Sequence, residues 1–145
     1  MRASRIALVL LSLFLVGCPP PSAWRYLVVA HATKRGHALF DPVCSSIAAE
    51  LHLQPIWHRY GEKWLCKEYH TGSVDIEIHL YTPANQMFVT IVDESGGHVS
   101  KFGRSIIERV RSATAKAAAP ATVRETGSFE ELERAIGQDI FGRCE

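Results

Sequence analysis

The chain lacks a second long apolar run, an internal repeat and a surplus of either charge. Outside residues 6–16, no stretch approaches the roughly 20 apolar residues a membrane-crossing helix needs. Sixteen basic residues stand against fifteen acidic ones in 145. That balance argues against nucleic acid as the main partner and against a strong polybasic attraction to anionic lipid. There is no Gly-x-Ser-x-Gly elbow, no Walker loop and no His-Glu-x-x-His. No catalytic residue and no cofactor are therefore assigned. His52 and His58 flank a helix-to-strand corner and could meet a metal with His31, His37 or His70. Structural zinc sites use tighter cysteine and histidine spacings, so the expectation is no metal site.

The first five residues carry Arg2 and Arg5, and Ile6 to Val16 follow as an almost wholly apolar, uncharged run. A basic start, a short apolar core and small residues after it describe a secretory signal peptide. Leu15-Val16-Gly17-Cys18 closes the run. This tetrapeptide resembles the lipobox of bacterial lipoproteins, and the resemblance covers only Met1 to Cys18. It implies removal of residues 1–17, lipid on the Cys18 sulfur and an anchor in the cell membrane or outer membrane. Two or more acyl chains hold a protein firmly to a bilayer, whereas one holds it only marginally. Residues 18–23 then form the lipid-bearing cysteine and a stalk. Pro19-Pro20-Pro21 favours the extended polyproline II conformation.

Removal of Met1 to Gly17 leaves 128 residues, enough for one domain over 24–145. Arg2 and Arg5 go with the signal, leaving fourteen basic residues against fifteen acidic ones. Arg25 to Ala30 reads as a possible first strand. Asp41-Pro42 is a helix-start pair, with Asp at the N-cap and Pro in the first turn. Val43, Ile47 and Leu51 continue at four-residue spacing, so a helix is expected over 42–52. Strands are expected at 56–60, 64–69, 74–81 and 87–92, joined by short turns into an antiparallel meander. The clearest is 74–81, where Val74, Ile76, Ile78 and Leu80 alternate with Asp75, Glu77, His79 and Tyr81.

From His98 the apolar period changes to three and four, through Val99, Phe102, Ile106 and Val110, giving a helix to about 118 that Pro120 stops. Gly103 within it suits a close approach to the sheet. Ser128-Phe129-Glu130-Glu131 matches a capping box ahead of a last helix, 129 to about 140. The fold class is α+β: a three- to four-stranded antiparallel sheet with about three helices, mainly on one face, in the order (β)αβββαα.

Three cysteines remain after lipidation, Cys44, Cys66 and Cys144. An exported chain meets an oxidising compartment, and three pairings are possible. A strand returning along helix 42–52 ends near the helix start, which favours Cys44–Cys66.

The polar face Asp75, Glu77, His79, Tyr81 is the candidate binding face. The leading expectation is a lipid-anchored, non-catalytic protein-binding module of the cell envelope, of assembly-factor or immunity type. It would partner the membrane through Cys18, a second protein through its domain, and no nucleic acid. One alternative is a small periplasmic hydrolase or ligand carrier using Asp75, Glu77 and His79. Another is a purely structural envelope lipoprotein. Trp24, Trp57 and Trp64 are further aromatic anchors to consider.

Overall fold

A computed structural model describes residues 22–30, 36–60, 64–83 and 85–136, without the side chains of residues 30, 57–60 and 64–66. The expected signal segment 1–17, Cys18, most of the expected stalk and Cys144 lie outside the described residues. The strands are β1 (Ala23–Ala30), β2 (Ile56–Tyr60), β3 (Trp64–Thr71), β4 (Val74–Tyr81), β5 (Gln86–Asp93) and β6 (Thr122–Thr126). The helices are α1 (Gly36–Leu51), α2 (Lys101–Ala118) and α3 (Phe129–Ile136). The fold is α+β, and all strand pairs are antiparallel.

The sheet has six strands in the order β2-β3-β4-β5-β1-β6, more than the three or four expected. β2 to β5 form the anticipated meander. β1 lies between β5 and β6, so the first strand is internal to the sheet. β6 escaped the sequence reading because it is Thr-Val-Arg-Glu-Thr, with only Thr126 fully buried. Charged residues on an exposed edge suit a strand that must not pair with another chain.

One sheet face carries the main core. Leu27 and Val29 of β1, Ile76, Ile78 and Leu80 of β4, and Val89 and Ile91 of β5 pack with Val43 and Ile47 of α1 and Ile106 and Val110 of α2. Each such side chain contributes roughly 1.5–3 kcal/mol by leaving water. The opposite face carries a smaller cluster, where Tyr26, Val28 and Phe88 meet Leu132 and Ile136 of α3. Two helices thus cover one face and the short third helix covers part of the other.

α1 begins at Gly36, six residues before its proline. Asn85 supplies the start: its carbonyl oxygen accepts from Gly36 N at 3.0 Å, and its side-chain oxygen accepts from His37 N at 2.6 Å. Capping from a distant turn overrides the local Asp41-Pro42 signal, and Pro42 lies inside the helix. Asp41 instead accepts from Lys67 Nζ at 3.1 Å, and the Lys67 side chain is almost fully buried beside the Phe40 ring. The helix stops at His52, whose φ of 54° is left-handed. Leu53 N then donates to Ala48 O at 3.1 Å, the closing bond of a Schellman motif.

α2 starts three residues later than expected. Ser100 is its N-cap and accepts from Gly103 N at 2.9 Å. Asp93, at the end of β5, secures the same turn. Its carboxylate accepts from Ser100 N and Oγ at 2.8 and 2.6 Å and from Ser95 N and Oγ at 3.1 and 2.6 Å. Burial alone would raise its pKa, but these donors outweigh burial and hold the carboxyl well below the usual carboxylate range. Gly103 makes the close approach anticipated from sequence: a Cβ there would stand 2.0 Å from Asp93 Oδ2. α3 is described as far as Ile136, the remaining expected residues to about 140 lying outside the described residues, and it opens on the expected Ser128, whose Oγ accepts from Glu131 N at 3.2 Å. Glu131 returns to the Gly127 amide, one residue earlier than in a standard capping box.

Cys44 is a free, buried thiol, so the expected Cys44–Cys66 disulfide is not formed. α1 turns Cys44 toward the sheet's main core. β3 presents Lys67 and Tyr69 to that side, and Tyr69 Oη donates to Cys44 O at 2.9 Å. Strand alternation gives position 66 the opposite parity. Burial pushes the Cys44 thiol up to about 12, so it is inert at neutral pH.

Candidate binding cleft

β4 places the four residues of the candidate face on the side away from α1 and α2, as its alternation requires. Packing then divides them. Asp75 joins β3, accepting His70 Nδ1 at 2.5 Å, while Glu68 Oε1 lies 2.9 Å from His70 Nε2. The hydrogen bond to Asp75, helped by the charges of Asp75 and Glu68, raises the His70 pKa. His70 is half-exposed, so this group is a wet surface pair.

Glu77 and His79 face the other way along the sheet, toward β5 and β1. His79 Nε2 lies 3.0 Å from Glu77 Oε2, and the imidazole stacks on Phe88 with centroids 4.7 Å apart. Tyr81 packs at the margin of the Tyr26–Leu132 cluster. The four residues therefore contribute to three different environments.

Glu77 and His79 form one wall of a cleft of about 420 Å³ between the sheet and the start of α3. Trp24, Tyr26, Phe88, Thr90 and Phe129 complete it. Trp24 and Tyr26 stack with centroids 6.4 Å apart, and Phe129 meets Tyr26 edge-on at 6.5 Å. Trp24 and Phe129 remain 47% and 40% exposed, unusually open for such large apolar side chains. Burial and the Glu130 charge both raise the Tyr26 pKa, so its hydroxyl stays neutral at physiological pH.

Of these residues, sequence reasoning singled out Glu77, His79 and Trp24. It missed Tyr26, Phe88, Thr90 and Phe129, which read as ordinary strand or helix positions. A signal was present in β5, where Met87 to Asp93 are buried on both parities. Apolar residues on both parities mark a strand covered on both faces.

Compared with known proteins, the chain matches no family model and no curated protein. Its function has to be argued from the cleft. An aromatic-walled cleft with few polar groups suits an apolar side chain or ring. Its polar groups are the Glu77–His79 pair, the Thr90 side chain and the Tyr26 hydroxyl. Among the described side chains, no three His, Cys, Asp or Glu residues form a metal-binding group. Among the described residues, no helix is long and apolar enough to cross a membrane.

Proposed function

We propose that this protein is a lipid-anchored cell-envelope lipoprotein whose domain captures another protein non-catalytically. The observation that carries the reading is the pair of exposed aromatic rings, Trp24 and Phe129, on the rim of the apolar cleft. Buried aromatic anchors dominate the energy of protein–protein contacts. The acidic groups nearby, Glu77 in the wall and Glu130 beside Tyr26, suit a partner segment with an apolar anchor and basic flanks.

The lipobox-like Leu15-Val16-Gly17-Cys18 supports the anchor. Trp24 lies six positions after Cys18, so at most about 20 Å of chain would join the lipid to the cleft rim. A partner held there would itself be membrane-associated. The test is a photo-crosslinking residue at position 129, followed by solubilisation of membranes in detergent. One discrete crosslinked protein is expected, reduced at least tenfold by Trp24→Ala. Absence of a crosslink, or one indifferent to Trp24, would overturn the reading. Separately, Cys18→Ser should abolish lipid labelling and release the protein from membranes.

The Glu77–His79 pair within the cleft favours one other reading, a carrier of a small apolar ligand bearing a polar head. A lipid extract that quenches Trp24 fluorescence and remains bound through gel filtration would select it.

A further inference from the structure

Strand parity and helix spacing gather three arginines on the covered face of the sheet, at the end where β1 begins. Arg25 pairs with Ile91 of the main core, and Glu125 of β6 pairs with Leu27, so both lie on the side that α2 covers. α2 meets them with Arg104, Ile107, Glu108 and Arg111, whose spacing of three and four puts them on one flank of the helix. These residues line a cavity of about 230 Å³, with Ile107 buried in its apolar wall.

We propose that Arg25, Arg104 and Arg111 form a binding site for a phosphate group. The site lies on the opposite face of the sheet from the aromatic cleft and does not rest on the partner-binding reading. Three guanidiniums carry five N–H donors each. Against them, among the described residues, stand the Trp24 carbonyl, 2.7 Å from Arg25 Nη1, and the two oxygens of Glu125, 3.8 Å from Arg25 Nε and 3.5 Å from Arg111 Nη1. Donors thus far outnumber acceptors. A phosphate group brings three acceptor oxygens and up to two negative charges, and the planar guanidinium fork matches it in bidentate geometry.

Glu125 has the place of a resident counter-ion. Its contacts are longer than the roughly 2.7–2.9 Å of a strong charge-assisted hydrogen bond. Its side chain and those of Arg25 and Arg111 are each about a third or more exposed. Such pairs are weak, so a dianion can displace the carboxylate. Glu108 lies one helical turn from both Arg104 and Arg111 and offsets the repulsion between them. The cavity wall still carries three positive charges against two negative ones.

The phosphate could come from two sources. Arg25 lies seven positions after Cys18, so lipid on that cysteine would keep the site within about 25 Å of chain from membrane headgroups. A soluble phosphate ester is the other source.

The test uses the full chain purified in detergent micelles containing phosphatidylcholine, titrated with inorganic phosphate by calorimetry at constant ionic strength. Saturable binding of one phosphate per chain is expected. Arg25→Ala, Arg104→Ala and Arg111→Ala should each weaken it about tenfold. Glu125→Gln, which removes the competing charge, should tighten it about threefold. Arg124→Ala and Arg134→Ala alter cations of the opposite face and should leave it unchanged. Circular dichroism would check that every variant folds. Replacing part of the phosphatidylcholine with phosphatidate separates the sources. Competition with inorganic phosphate identifies a lipid headgroup, and unchanged phosphate binding identifies a soluble ester. The proposal is overturned if folded wild-type protein shows no saturable binding, or if binding survives loss of Arg104 and Arg111 together. Equal weakening by Arg134→Ala would overturn it as well.

Discussion

The two faces of the sheet are made by alternate residues of the same strands, yet they are built to different rules. The face under α1 and α2 is nearly all aliphatic, and its one buried carboxylate among the described residues, Asp93, is met by four donors from Ser95 and Ser100. The other face mixes rings, carboxylates and imidazoles, and α3 packs chiefly beside β1 and β6. Where both parities of a strand must be buried, as in β5, packing decides nearly every residue. Where one parity is left open, as in β4, the residue types are free to serve binding.

Neighbours in β4 give the sharpest test of that contrast. Ile78→Ala should cost about 2–5 kcal/mol, as buried aliphatic truncations do, because Ile78 is fully buried. Glu77→Ala, one residue away on the other face, should change stability by less than about 0.5 kcal/mol. Urea denaturation of both variants measures the difference, and equal effects would break the two-face description.

The next largest effect should fall on Asp93. Asp93→Asn keeps the shape and removes the charge, and hydrogen bonds to charged groups are worth about 1.5–3 kcal/mol each. Some bonds survive, so a net loss of roughly 2 kcal/mol is expected. The pH dependence follows from the direction of the shift. The folded-state pKa lies below the unfolded one, so the ionised form is favoured by folding. That stabilisation is complete above about pH 4 and is lost as pH falls toward the folded-state value. The gap between wild type and Asp93→Asn should therefore narrow on acidification, as denaturation curves from pH 7 down to pH 3 would show.

Gly103→Ala tests the same junction sterically. The added methyl collides with the carboxylate, so destabilisation of about 1–3 kcal/mol is expected although alanine is the better helix former. The smallest effect belongs to the open face. His70 has a folded-state pKa above its unfolded value, so its contribution is present below about pH 6.5 and fades as pH rises through the folded value. Half-exposed and screened, it should be worth no more than about 0.5 kcal/mol. His70→Ala should leave the Tm at pH 8 unchanged and lower it only slightly at pH 5.

Much of the covered face was legible in the sequence, because period-two and period-four spacing in β4 and α2 record which side must be dry. The features that were not legible depend on contacts far along the chain. Gly36 is capped by Asn85, which no local signal could reveal, so the Asp41-Pro42 pair was mistaken for the helix start. β6 is polar and gains its place from pairing with β1. Cys44–Cys66 failed because distance along an idealised helix and strand says nothing about strand parity. On the open face, alternation correctly grouped Asp75, Glu77, His79 and Tyr81. Only the tertiary arrangement could send them to three environments and bring Trp24 and Phe129, 105 positions apart in sequence, to one rim.

The internal position of β1 has a consequence for how the domain comes into being. Ala23–Ala30 pairs with Gln86–Asp93 on one side and with Thr122–Thr126 on the other. The first strand to emerge must therefore wait for segments that follow it by about sixty and about a hundred residues, and closures of that length are slow. A chain threaded through a membrane from its N-terminus would stay pliable until nearly all of it had crossed. The sheet would then lock from its middle, with the first strand held between two neighbours so that any pull on its N-terminal end is shared by both.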